Sequence, residues 1–326
     1  MSQLREQKEY TGKKGFEVLS TERFGLQRKI VANMTTESWE SIPHTSAIYE
    51  PDVTEFLKTY QRLRQKPEWK GVSINTVMLY VITQGLIACP AMNAHIEFKR
   101  GFVNGKIEQY ADVNITMPMV LPDGGMMTVN VHNCERKNVR QLQDYIEDIR
   151  RRLDNTSMDD ALFEVGFHDT MQELKRLKIL KAMGRLIGSK VGAGEINKLK
   201  GKKKRAYGKL PDEDKLTRKD IEQGTIVVSN VGSIYRGGSY VVPTLLEIIP
   251  PQVAAVVFAA AVEKPGVVQK PDGGKSIEPR MFMPMCFAFD HRAADFGDCT
   301  PFITRLDEIF NDPGQMESWL SGPARP

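Results

Sequence analysis

The chain has 326 residues, of which 41% are apolar and 26% charged, and a formal net charge of +4. That length can bury roughly three quarters of the unfolded surface, in one large domain or two smaller ones, so core size sets no obstacle. The composition is that of an ordinary soluble globular protein, and the charge is too small to imply nucleic-acid binding. Cys89, Cys134, Cys286 and Cys299 show neither C-x-x-C pairing nor zinc spacing, which suits reduced thiols and gives no metal site.

The first twenty residues are polar and charged, so they read as an extended arm, neither signal peptide nor membrane span. No later apolar run is long enough to cross a bilayer, and a cytoplasmic protein is the simplest reading. A helix is predicted over LQRKIVANMTTESWESI, stopped by Pro43, and HTSAIYEPDVTEF then reads as a strand with Tyr49 in it. A second helix starts at Asp52 or Thr54 and runs through Phe56, Leu57, Tyr60 and Leu63. SINTVMLYVITQGLIACP is apolar over a wide face, which predicts a central core helix ended by Pro90.

From His95 the pattern turns to strands. IEFKRGFVNGKIEQY reads as a hairpin turning at Asn104-Gly105, whose residue types suit the positive φ angles of a type I′ turn. VNITMPMVLPDGGMMTVNV reads as a second pair turning at 122–125, and NVRQLQDYIEDIRRRL as an amphipathic helix through Val139, Leu142, Ile146 and Ile149. Residues 155–218 are a basic segment with a helical stripe of Leu174, Leu177, Leu180, Met183 and Ile187 among lysines. Such a helix can lie on an anionic membrane or an acidic partner, but packing on its own protein with solvated lysines is the favoured reading. GKKKR at 201–205 likewise reads as a solvated loop before an attractor of phosphate.

Order returns with GTIVVSNVG, where 225–228 favour a strand and Ser229 and Asn230 stand at its end. A buried strand is expected over 253–262, a turn at Gly273-Gly274, and another buried strand over 282–289. Thr300 and Pro301 suit the N-cap and first position of a last helix carrying Phe302, Ile303, Leu306, Ile309 and Phe310. Between that strand and helix lie His291 and Asp295, side chains that a strand end can hold in a fixed direction. Catalysis and a partly buried histidine bonded to its neighbours are both open readings of these two residues alone.

Six segments taken together decide more. RKIVANMTTES, SINTVMLYVITQGLIACPAMNAHI, VNITMPMVLPDGGMMTVNV, GTIVVSNVGSIY, IIPPQVAAV and FAFDHRAADFG resemble, in order, the catalytic domain of the 2-oxoacid dehydrogenase acyltransferases. That family shares its fold with chloramphenicol acetyltransferase. The resemblance covers most of the chain outside 155–218, and implies an α/β class, an α+β two-layer sandwich of a mixed sheet with helices. It implies an arm over 1–20 and one catalytic domain over 21–326, with a basic helical insertion at about 155–218.

The family signature is HxxxDG; His291 and Asp295 match its first two fixed positions, and Phe296 separates the aspartate from Gly297. By resemblance His291 is the general base that takes the proton of an attacking thiol, as an imidazole near neutrality can. Ser229 is then the hydroxyl donor to the tetrahedral oxyanion. Asp295 is a structural residue paired with Arg28. The resemblance further implies coenzyme A or acyl-CoA as substrate and a homotrimer, or a multiple of trimers, with each active site at a subunit interface. This sequence shows no lipoyl domain, so the acyl carrier would be a lipoyl group on a separate protein or another acceptor.

Two further readings stand beside a coenzyme A-dependent acyltransferase. One is a catalytically silent oligomeric scaffold or regulatory module of a 2-oxoacid dehydrogenase-type complex. The other, a Ser-His-Asp hydrolase with Ser229 as nucleophile, fails because no G-x-S-x-G elbow surrounds that serine.

Overall fold

The computed structural model describes residues 10–11, 17–21, 24–121, 126–157, 161, 201–234 and 241–325. The predicted helix at 174–187 and the turn at 122–125 lie outside them. Strands β1 (Tyr10–Thr11) and β2 (Glu17–Val18) pair with each other in the arm, ahead of helix α1 (Leu26–Ser41). Strand β3 (His44–Tyr49) and helix α2 (Thr54–Leu63) follow. Helix α3 (Ile74–Ala88) starts at Ser73, whose hydroxyl accepts from the Thr76 N–H. It is buried nearly all round, as its apolar sequence predicts.

Strands β4 (Ala94–Lys99) and β5 (Asn104–Gln109) form a hairpin, but its turn is not Asn104-Gly105. Those residues pair with Lys99 and Phe98, and the chain turns at Arg100–Phe102, with Val103 taking the left-handed conformation at φ 44°. Gly105 is needed for another reason: a Cβ there would stand 2.2 Å from the Glu97 carbonyl oxygen. The glycine marks close approach of two strands, which sequence alone does not separate from a turn.

Strands β6 (Ile115–Val120) and β7 (Met126–Val131) lead to helix α4 (Val139–Asp154), where Asn138 and Gln141 form a capping box. The basic segment's described end holds helix α5 (Gly201–Gly208), and α6 (Arg218–Ile221) follows. Helix α6 is fastened to α4 by Arg152 and Asp220. Strands β8 (Ile226–Asn230) and β9 (Ala254–Phe258) come next. The buried strand expected over 253–262 thus stops at Phe258, and Val262 opens the hairpin of β10 (Val262–Gln269) and β11 (Lys275–Phe282). Phe282 ends that hairpin, so the last core strand, β12 (Met285–Asp290), is shorter than its apolar run.

Helix α7 (Phe296–Asn311) begins four residues before Thr300, with Asp295 at its N-cap. Pro301 therefore lies inside it and leaves the Gly297 carbonyl without its helical N–H. The Thr300 hydroxyl donates to that carbonyl at 2.7 Å, so the proline is accommodated.

The main sheet has the order β3-β12-β9-β8-β6-β7, with β8 parallel to both its neighbours and the other pairs antiparallel. On one face α2, α3, α4 and α7 cover Val228, Val256, Phe258, Phe287 and Phe289 in a large core. On the other face Val227, Ala255 and Ala288 pack under Ile42, Ile248, Leu245 and Leu246. A mixed sheet with helices is thus the fold observed, as expected.

Candidate active site

Strand β12 delivers His291 to the end of the sheet. Its last residue, Asp290, is fully buried, and its carboxylate accepts from the Arg292 backbone N–H at 2.9 Å. The same carboxylate takes the Arg292 guanidinium through Nε at 2.9 Å and Nη2 at 2.6 Å. The Asp290 carboxylate accepting the N–H two residues on is an Asx turn, which is why this clamp straddles His291. The His291 N–H donates to the Pro43 carbonyl, and the Asp290 carbonyl accepts from Ala293 and Ala294, closing the turn. Arg292 also lies over the Phe98 ring, 5.5 Å from its centroid, which ties the β4–β5 hairpin to the same turn.

The His291 ring is half exposed and meets Phe289 edge-on. Its Nδ1 is 3.1 Å from Asp295 Oδ1. A carboxylate only accepts, so the neutral imidazole carries its proton on Nδ1 and turns an unprotonated Nε2 outward. Asp295 is held by its place at the head of α7, where the Asp298 carboxylate accepts from its backbone N–H at 2.8 Å. Within the chain Asp295 thus meets His291, and among the described residues no ion pair joins it to Arg28, which is exposed on α1.

Phe296 follows Asp295 as the first residue of α7, and its backbone is not among the left-handed residues. The position has no need of glycine. The ring stacks on Phe287 with centroids 6.2 Å apart, leaving half of itself in solvent beside the His291 turn.

Ser229 lies near the carboxyl end of β8, opposite Val257. Alternation puts it on the face of Val227, away from Val228 and the helix-covered core. Its hydroxyl has no hydrogen-bond partner among the described residues. The end of β8 borders a cleft of about 480 Å³, whose lining includes Ser229, Asn75, Met117, Met119, Ile234 and Phe258. Gly232 carries the chain away from the site: a Cβ there would meet the Ala260 backbone nitrogen at 2.1 Å.

The register separates these two residues. Phe289 pairs with Ala254, whereas Ser229 pairs with Val257 two strands from β12. His291 therefore stands roughly 16 Å further along the strand direction than Ser229 and about 10 Å across the sheet. Within one chain the base and the hydroxyl are at opposite ends of the sheet.

The profile of the family described as 2-oxoacid dehydrogenases acyltransferase (catalytic domain) matches residues 20–164 and 195–317. The chain belongs to this family. The lipoamide acyltransferase component of the branched-chain alpha-keto acid dehydrogenase complex of Bacillus subtilis is 24% identical over 297 residues, covering 90% of this chain and 52% of that protein. The cubic core of the pyruvate dehydrogenase multienzyme complex superposes with a TM-score of 0.60 at 17% identity, over 92% of this chain and 94% of that one. The truncated catalytic core of the 2-oxoacid dehydrogenase multienzyme complex from Thermoplasma acidophilum gives 0.57 at 19% identity, over 90% and 98%. The chain spans between 15% and 52% of the length of the curated relatives it matches.

Asp290 and Arg292 are the site residues that sequence reasoning missed. The available signal was a lone acid closing an apolar strand two residues before an arginine. Among the described residues no cluster of His, Cys, Asp and Glu could hold a metal, and no helix is long and apolar enough to cross a membrane.

Proposed function

We propose that this chain is a coenzyme A-dependent acyltransferase whose active site is completed between two copies of itself. His291 Nε2 takes the proton of an attacking thiol, and the thiolate adds to the carbonyl carbon of an acyl thioester. The carbonyl π electrons move to oxygen, and the resulting oxyanion accepts a hydrogen bond from the Ser229 hydroxyl of a neighbouring copy. Collapse re-forms the carbonyl and expels the original thiolate, which takes the proton back from His291, so no acyl-enzyme forms. Asp295 holds the Nδ1 proton and so keeps the ring oriented with Nε2 toward the thiol. Arg28 is assigned no part in this reading.

The observation that carries the proposal is the separation itself. His291 presents a free Nε2 at one end of the sheet, Ser229 a free hydroxyl at the other, and only a second chain can join them. A closed ring such as a trimer, or a cage built from trimers, fits this need. The acyl acceptor is a dihydrolipoyl group or another thiol.

The test is to incubate the protein with acetyl-CoA and longer acyl-CoAs plus dihydrolipoamide and to follow released coenzyme A thiol. His291→Ala should lower turnover by about 10²–10⁴-fold with assembly size unchanged. Equal silence of wild type and variant across the panel would favour the scaffold reading.

A further inference from the structure

We infer that Arg150 anchors the far end of the acyl group, so that the cleft favours acyl chains ending in a carboxylate. This rests on the acyl-transfer reading above and names the substrate class of the same site. Helix α4 carries three consecutive arginines, and two of them hold the fold together. Arg151 donates to Asp148 at 2.9 Å and to Asp214 at 3.0 Å, and Arg152 donates to Asp148 at 2.8 Å and to Asp220 at 2.9 Å. Arg150 is exposed, has no ion-pair or hydrogen-bond partner among the described residues, and lines the cleft that the end of β8 borders. Its guanidinium fork matches the two oxygens of a carboxylate.

The cleft leads from the serine end of the sheet to this arginine. The side-chain amide of Asn230, next to Ser229, donates to Asn75 Oδ1 at 2.8 Å. Asn75 lies in the first turn of α3, which starts at Ser73, and the Ser73 N–H donates to Gln143 Oε1 on α4 at 3.0 Å. From Gln143 to Arg150 is two turns of α4, about 10 Å along its axis. Over that interval Leu79, Met119, Ile146 and Phe258 give the cleft an apolar lining. An acyl group with its carbonyl at Ser229 would lay its methylene groups on this lining, and a short chain together with the length of the arginine covers the distance.

Asp154, one turn beyond Arg150, lines the same cleft, and no ion pair joins the two. The rim thus carries one charge of each sign. A doubly charged phosphate would meet twice the repulsion from Asp154 that a single carboxylate meets. The arrangement therefore suits one carboxylate gripped by the fork, and not the phosphates of coenzyme A.

The experiment uses acetyl-CoA, hexanoyl-CoA, succinyl-CoA and glutaryl-CoA as probes, measuring transfer to dihydrolipoamide and, separately, binding by isothermal titration calorimetry. Wild type is expected to favour the two carboxylate-bearing thioesters over hexanoyl-CoA in kcat/KM and in affinity. Arg150→Met removes the charge while keeping a good helix former, and should lower that preference about ten- to a hundredfold. Arg150→Lys should restore part of it, and Asp154→Asn should increase it. An unchanged preference in Arg150→Met overturns the assignment. So does an equal loss with all four probes, which would put the guanidinium on the coenzyme A phosphates they share, and so does a wild type that shows no preference. Absence of turnover with every probe, while calorimetry still shows the Arg150-dependent preference, overturns the transferase reading and supports the subsite. Absence of both turnover and preference overturns the two together.

Discussion

Asp220→Ala tests how α6, which follows the basic segment, is joined to the rest of the fold. Arg152 on α4 and Asp220 on α6 form a two-pronged pair, Nη1 to Oδ2 at 2.9 Å and Nη2 to Oδ1 at 3.0 Å, with both side chains only 9% exposed. The Thr217 N–H and hydroxyl each donate to Asp220 Oδ2 at 2.8 Å. Alanine leaves the two Thr217 donors unpaired and the buried guanidinium with Asp148 as its remaining carboxylate. Breaking one side of a buried pair costs about 3–5 kcal/mol, and Asp148 keeps the expected loss near about 3 kcal/mol. For a chain of this size that is a fall of about 4 °C in Tm, read by calorimetry. A companion variant, Arg152→Met with Asp220→Leu, removes both charges and should recover most of the loss.

The pH dependence of that gap follows from the same contacts. Burial pushes the Asp220 carboxyl up, but the hydrogen bonds from Arg152 and Thr217 outweigh it and hold the group below the usual carboxylate range. A carboxyl depressed in the folded state stabilises above its unfolded value and loses that contribution as pH falls through the folded one. The difference between wild type and Asp220→Ala should therefore shrink below about pH 4. A Tm change under about 1.5 °C at neutral pH, equivalent to about 1 kcal/mol, would mean that water screens the pair and would refute the reasoning.

Two smaller changes probe the site. Asp295→Ala should lower kcat by about 10–30-fold, a loss of about 1.4–2 kcal/mol from removing a charge-assisted hydrogen bond, with little change in KM or assembly. An unchanged kcat would show that the Nδ1 contact does not orient the base. Gly232→Ala should destabilise the protein by about 1–3 kcal/mol and reduce turnover, because its methyl group meets backbone and not a movable side chain. Urea denaturation reads this directly, and a neutral result would show that the turn after Ser229 has room to open.

The legible part of the fold was carried by periodicity. Helices α1 to α4 and strands β3, β6, β7 and β8 lie where apolar spacing puts them, and Ser73 and Asn138 cap helices as their residue types suggest. The errors share a physical origin, since one residue type serves two purposes. Gly105 suggests a turn but relieves close approach between strands. Thr300-Pro301 suggests a helix start, but Asp295 caps the helix and the threonine compensates for the proline inside it.

His291 and Ser229 could be picked out in the sequence, each at a strand end. Their opposite placement could not, because it depends on the order and register of β12, β9 and β8, which no local pattern encodes. The Asp290–Arg292 clamp was within reach of the turn chemistry of an aspartate, whose carboxylate accepts the N–H two residues on. The Asp295 contact required the true start of α7, since only a capping position sets that carboxylate facing the imidazole.

The shared site has one direct measurement. His291→Ala and Ser229→Ala proteins, each inactive alone, are mixed, dissociated and reassembled, and acyl transfer is assayed. If each site takes its base from one chain and its hydroxyl from the next, random reassembly restores about a quarter of the sites to the native pair. Recovery near a quarter of wild-type activity is the result predicted. Activity that stays at the level of the separate variants, although the mixed assemblies form, would place both groups in one chain and contradict the account.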